Sequence, residues 1–242
     1  MKYILKNLQS LISVALCVFF ATCFTYCSKD DDEPEKAKVE KRMKSIDKTS
    51  FVYFDGKITT TLWDGSVEDK IEYTASSIRI DNDTYYLTDG LVTKYVEYDG
   101  WYQEFTYENG HIKTWKKYYP DGTLDEDISF EWKDGVIVRQ TVIWKGDEHM
   151  ELIDYNYNYT TYPDYGGAIA ALQFDFLFYD DLPEALIIQG YFGKWPKYLV
   201  SGAVDVSGYF DNAKSFTYIL DNEGYPILMS GTEKAMFTWE NL

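Results

Sequence analysis

The chain has 242 residues and a formal net charge of −17 at pH 7. That acidic balance excludes charge-driven binding to nucleic acid or to an anionic membrane surface. Its three cysteines are Cys17, Cys23 and Cys27, so everything beyond Cys27 lacks a disulfide, a thiolate metal site and a thiol nucleophile.

The N-terminus reads as an export signal. Lys2 and Lys6 supply a positive start, and "LISVALCVFFATCF" (Leu11 to Phe24) supplies an apolar run. A membrane-spanning helix needs about 20 apolar residues, so this layout predicts a removable signal peptide over 1–26. A retained N-terminal anchor is the competing reading. Cys27 closes the run, where acylation would tether the domain to a membrane. The following "SKDDDE" (Ser28 to Glu33) resembles the surface-export tag of Bacteroidetes lipoproteins, in which a Ser or Lys and several acids follow the lipidated cysteine. The residues before such a cut are usually small, and here they are Phe24, Thr25 and Tyr26. Cys23, preceded by Ala21 and Thr22, is the alternative attachment point. The stretch 27–50 is nearly all charge, which predicts the lipidated cysteine followed by a disordered tether. The folded body is then 51–242, expected to fold without the residues before it.

Within the body, Asp-Gly or Asn-Gly recurs at residues 55–56, 64–65, 89–90, 99–100, 109–110, 121–122 and 134–135. These pairs tolerate the positive φ of tight hairpin turns. Their regular recurrence leaves one strand per turn and predicts an antiparallel meander. The intervening segments alternate with period two. "WYQEFTYE" sets Trp101, Phe105 and Tyr107 against Tyr102, Glu104, Thr106 and Glu108. "DISFEW" sets Ile128, Phe130 and Trp132 against Asp127, Ser129 and Glu131. "IDYNYNYTTY" sets Ile153, Tyr155, Tyr157 and Tyr159 against Asp154, Asn156, Asn158 and Thr160. One face is therefore buried and the other wet. The recurrent pattern in "FTYENG" and "FEWKDG" also resembles tyrosine-aspartate repeat sheets, which are stacked hairpins.

The rhythm breaks once, over "YGGAIAALQFDFLFYDDLPEAL" (Tyr165 to Leu186). This apolar connecting segment, around 165–195, is expected to pack into the concave side of the sheet. "DLPEALIIQ" predicts a short helix capped by Asp181, with Pro183 in its first turn. Strands resume in "KYLVSGAVDV", the hairpin "SFTYILDNEGYPILMS" and "KAMFTWENL". The fold class is thus all-β: an antiparallel meander forming a curved sheet or barrel, with one short helix.

"YFGKWPKYLV" (Tyr191 to Val200), "FTYILDNEGYPILM" (Phe216 to Met229) and "FTWE" (Phe237 to Glu240) resemble a Bacteroidetes surface lipoprotein family described as porin-like. The resemblance is clearest over the C-terminal third. It implies an exported all-β lipoprotein and no particular activity. It does not imply a pore. A transmembrane barrel carries an outward apolar band and longer loops at one end. Here the turns are short at both ends, and Lys113, Lys117 and Arg139 interrupt any continuous apolar face.

Catalytic patterns are scarce. His111 and His149 have no ligand spacing around them and read as solvated turn residues. There is no Gly-rich phosphate loop and no G-x-S-x-G elbow. Asp81 to Asp83 lack the other ligands of a calcium loop. No cofactor, metal or catalytic residue is therefore assigned. Paired carboxylates for glycan hydrolysis are compatible with so acidic a sequence and form the alternative reading, with "DEDISFE" and "YDDLPE" as the acid clusters. A structural role in an envelope assembly is a further alternative.

The leading expectation is a monomeric lipoprotein on the outer membrane, facing the exterior, that binds a glycan or protein ligand without catalysis. Aromatic residues make up 18% of the chain, enough to build a β core and also to line a groove. The candidate ligand-binding residues are Tyr191, Lys194, Trp195, Lys197 and Tyr198, on a connection stiffened by Pro196. The competing reading of Trp195 is a plug packed over the end of the sheet.

Overall fold

A computed structural model of the protein describes residues 40–146, 149–159, 182–196, 198–208, 213–232 and 234–242. Among them run β1 (Lys41–Ile46), β2 (Thr49–Phe54), β3 (Lys57–Trp63), β4 (Ser66–Tyr73), β5 (Ser77–Ile80), β6 (Asp83–Thr88), β7 (Leu91–Val96) and β8 (Tyr102–Glu108). They continue with β9 (His111–Tyr118), β10 (Leu124–Lys133), β11 (Val136–Trp144), β12 (His149–Asn158), β13 (Leu199–Asp205), β14 (Lys214–Leu220), β15 (Pro226–Gly231) and β16 (Ala235–Asn241). One short helix, α1 (Glu184–Ile188), lies between β12 and β13. Each strand pairs antiparallel with its sequence neighbours, and β1 pairs with β16 to close a 16-strand barrel. The predicted meander is therefore a closed barrel, which leaves no sheet edge to pair with another chain.

Turn chemistry builds the hairpins. At Asn109–Gly110 both central residues have positive φ, 56° and 81°. This is the type I′ turn whose twist matches that of the flanking strands. The pairs at 55–56, 89–90 and 134–135 adopt the same signs. These four turns, and the β12–β13 connection, all follow an even-numbered strand, so they share one end of the barrel. The turn at 99–100 is of another kind: Gly100 N–H donates to the Glu97 carbonyl, and Glu97 N–H donates to that of Trp101.

Just before the shared-end turns, register shifts occur at Tyr53, Leu87, Tyr107, Trp132 and Tyr157. Aromatic side chains beside these bulges reach across to the preceding hairpin. The Tyr107 hydroxyl donates to the Val92 carbonyl at 2.5 Å, and Trp132 Nε1–H donates to that of Ile112 at 2.7 Å. The Tyr73 hydroxyl, at the end of β4, donates likewise to Ile58 at 2.6 Å.

The core lies inside the barrel. Ile58, Ile78, Val92, Ile112 and Trp115 are fully buried, and Phe105, Ile128 and Phe130 nearly so. The faces read from "WYQEFTYE" and "DISFEW" are the ones observed. Tyr155 and Tyr157 are buried as read, whereas Tyr159, beyond the end of β12, is exposed. The outer wall is polar. Lys94, Glu104, Lys116 and Asp127 stand opposite one another across β7–β10, with ion pairs of 3.4 Å at either end of the row. Thr106 and Thr114 bond at 2.6 Å, and Arg139 grips Asp154 through two bonds. A lipid-facing wall needs the reverse arrangement, because a basic residue at the bilayer midplane costs about 2–4 kcal/mol. On β14–β16 the outer face carries an apolar row, Ile219, Leu228 and Met236, set opposite one another.

Three expectations need correction. The stretch 41–50 is not tether: it forms β1 and the start of β2. Its charges looked solvated, yet Lys41 pairs with Asp221 and Glu223, and Arg42 pairs with Glu240. Met43 and Ile46 turn inward and are buried. Lys117 does not interrupt the outer wall. The bulge on β9 shifts its parity, so Lys117 faces inward beside Glu126. The residue preceding α1 is Pro183, which makes no side-chain cap bond; Asp181 lies outside the described residues, as does most of the apolar segment 165–195 before Leu182.

A chain beginning at Phe51 lacks β1 and should lose the single sharp thermal transition expected of a chain beginning at Glu40. Equal melting temperatures for the two would show that β1 is dispensable.

Candidate functional site

The two ends of the barrel differ. The end carrying the turns at 55–56, 89–90, 109–110 and 134–135 is capped from within by the segment 182–196. Leu186, Ile187 and Phe192 are fully buried, and Phe192 meets Phe105 edge-on with centroids 5.2 Å apart. Gln189 fastens α1 to the wall: its Oε1 accepts from Ile58 N–H at 3.1 Å, and its Nε2 donates to the Tyr73 hydroxyl at 2.8 Å. Backbone bonds continue the seal, from Val92 N–H to the Tyr191 carbonyl at 2.8 Å and from Lys194 N–H to the Gly110 carbonyl at 2.7 Å. Gly193, at φ +90°, permits this approach, because a Cβ there would sit 2.5 Å from the Gly110 oxygen.

These contacts locate the residues singled out on the connection. Trp195 is 8% exposed and belongs to the core. That position fits the plug and removes its face from any ligand. Tyr191 is half-buried and packs against Tyr73 at 6.0 Å. Lys194 is exposed beside Gly110, and half-buried Tyr198 meets Tyr159 edge-on at 5.3 Å. Lys197 lies outside the described residues. His111 is not simply solvated: its Nδ1 lies 3.0 Å from the Lys194 carbonyl, and its ring packs on Trp132. Nothing is described of the His149 side chain. Burial pushes the Tyr73 hydroxyl up to about 12, so it stays a neutral donor across the physiological range.

Among the described residues no such cap spans the opposite end, and there the inner face turns polar. On β8–β10, Gln103, Lys117 and Glu126 face inward in register. Trp115 Nε1–H donates to Gln103 Oε1 at 2.8 Å, and Lys117 pairs with Glu126 at 3.0 Å while lying 4.8 Å from the Trp115 ring centroid. On β4–β7 the inward acids are Asp69, which accepts from Thr61 at 2.8 Å, and Asp83, which accepts from Tyr95 at 2.9 Å. Tyr95 in turn stacks on Tyr85. On β11–β13 they are Glu151 and Asp205, near the Tyr155–Gln140 bond of 2.6 Å. Buried polar groups are normally bonded. Glu151 is 6% exposed and makes no hydrogen bond or ion pair with any described residue, although its carboxyl oxygens are not sealed from solvent. Burial chiefly, and then the charge of Asp205, raise its pKa, with Lys214 opposing.

The rim of this mouth is aromatic. Trp63, at the end of β3, is 51% exposed and Tyr98, in the β7–β8 turn, 81%. Trp101 and Tyr119 pack together with centroids 4.4 Å apart. Trp63, Ser66, Val67 and Glu68 line a groove of about 400 Å³. Sequence reasoning passed over this mouth because it sought function on the irregular connection. The available signal was a set of polar residues on the parity of the apolar face, at the strand ends away from the 109–110 turn.

Two outcomes follow. Trp195→Ala should destabilise the protein by about 3–5 kcal/mol, as for other buried large aromatics, whereas Trp63→Ala should stay within about 0.5 kcal/mol of the parent, both measured by urea unfolding. The raised Glu151 pKa means that the folded chain holds this proton more tightly than the unfolded one, so its contribution is present at acid pH and lost as pH rises. Glu151→Gln should therefore gain stability relative to the parent between about pH 4 and about pH 7. A constant difference across that range would show that Glu151 titrates normally.

No protein-family model matches the chain, and no curated protein matches it. Among solved structures it is similar to a porin-like protein from Bacteroides uniformis ATCC 8492, with 16% sequence identity and a TM-score of 0.57 over 79% of this chain and 90% of that one. At that identity the likeness is one of fold, and this chain shares the porin-like antiparallel β architecture.

Proposed function

We propose that the chain is a lipid-anchored envelope protein whose barrel binds a ligand at its polar mouth without catalysis. The observation that carries this reading is the asymmetry of the interior: one end filled by apolar side chains and α1, the other lined by inward carboxylates and rimmed by exposed Trp63 and Tyr98. A protein needing only stability would have an apolar interior at both ends, since each inward carboxylate resists burial. Flat aromatic faces on a rim suit sugars and peptides alike.

Attachment through Cys27 is compatible with this arrangement. β1 begins beside the β14–β15 turn, where Lys41 pairs with Asp221, and Leu242 N–H donates to the Glu40 carbonyl. Both bonds lie at the capped end, so the chain enters the barrel opposite the mouth. The long polar outer wall is suited to water, which favours an anchored domain over a spanning one.

Cys27→Ala should release the protein into the soluble fraction and abolish fatty-acid labelling in cells. Labelling that persists in this variant and vanishes in Cys23→Ala would move the anchor to Cys23. For the mouth, Trp63→Ala and Tyr98→Ala should weaken ligands found in a glycan and peptide screen, and Lys194→Ala should not; the reverse ranking would return the site to the connection.

A further inference from the structure

We propose that the mouth takes a ligand bearing a cationic nitrogen, an ammonium or guanidinium group, and that Glu151 is the residue that receives it. The inference rests on the reading of the mouth as the binding site, and adds the chemical class.

Glu151 stands opposite Val142 on the inner face, with its neighbour strand bringing Asp205 alongside through the Ile153–Asp205 pairing. It is more than nine-tenths buried and has neither a hydrogen-bond donor nor an ion partner among the described residues. The other inward carboxylates are treated differently. Asp69 has Thr61, Asp83 has Tyr95, Glu126 has Lys117, and Asp205 accepts from both the N–H and the hydroxyl of Ser207. A carboxyl group left alone among bonded ones is held ready for a donor that arrives from outside. The donor it would prefer is charged, because a cation restores the ionised carboxylate through charge-assisted hydrogen bonds.

The local field points the same way. Asp205 adds a second negative charge near Glu151, whereas Lys214 on β14 is the cation on that side of the interior. An anionic ligand would meet Glu151 and Asp205 together, and a neutral sugar could donate hydroxyls to Glu151 but would leave the two negative charges uncompensated. No group of three or more acidic, histidine or cysteine side chains among the described residues is arranged to hold a metal ion.

The test is calorimetric titration of the whole domain with spermidine, a neutral oligosaccharide and an anionic oligogalacturonide. Spermidine should bind at one saturable site that persists in moderate salt, and Glu151→Gln should weaken it at least tenfold. Glu72→Gln is the control for the general attraction of a polyamine to an acidic protein, since Glu72 pairs with Arg79 on the exposed outer wall. It should leave the affinity unchanged. Equal losses in the two variants, or no loss in Glu151→Gln, would overturn the proposal. Should Glu151→Gln fail to fold, Asp205→Asn must weaken spermidine instead, and an unchanged affinity there would equally refute the assignment. Binding of the neutral or anionic probe at the mouth, sensitive to Trp63→Ala, with no spermidine site, would keep the mouth and remove the cationic class. Absence of binding by all three probes would count against both readings.

Discussion

An aromatic side chain on one hairpin hydrogen-bonds the backbone of the hairpin before it, and the rest of the barrel follows from that tie. Ile58, Val92 and Ile112 each stand two residues after a turn glycine. Their carbonyls accept from Tyr73, Tyr107 and Trp132 respectively. The bulges beside these turns interrupt the ladder locally, and the aromatic donor satisfies buried backbone there. Each tie also fixes where the ring lies, so a layer of aromatics fills the turn-bearing end. The space left inside that layer is apolar and is completed by α1 and the segment through Trp195.

Closure at one end shapes the other. With the core concentrated under the cap, the distal inner face is free to carry Gln103, Lys117, Glu126 and Glu151 in place of further aliphatics. Four hydrogen-bonded or ion-paired inward carboxylates make that face structured rather than incidental, since paired buried groups are a matter of geometry as well as charge. The chain enters and leaves at the capped end, near Glu40 and Leu242. The apolar packing thus gathers at one pole, and the inward polar side chains gather at the other.

Much of the fold was legible because it is written locally. Two-residue turns announce themselves as Asp-Gly or Asn-Gly, and period-two alternation assigned Phe105, Ile128 and Phe130 to the interior. What was not legible depended on partners distant in sequence. β1 looks like tether because the carboxylates that neutralise Lys41 and Arg42 lie near the C-terminus, at Asp221, Glu223 and Glu240. Lys117 was placed on the wrong face because "HIKTWKK" supports two parities, and only the pairing of Thr106 with Thr114 shows that Lys113 is the bulged residue. Trp195 could be read as platform or plug until Phe192 and Gln189 showed which way the connection folds. The mouth escaped notice because polar residues at inward positions look, one at a time, like breaks in alternation.

Native-state hydrogen exchange measures the division between the two ends most directly. Amides of the sealed end, at Ile58, Val92 and Lys194, should exchange only through global unfolding. Those of the mouth turns, at Gly100 and Gly122, should exchange through local opening and much faster. Equal protection at both ends, or faster exchange at Val92 and Lys194, would contradict a barrel stabilised at its capped end.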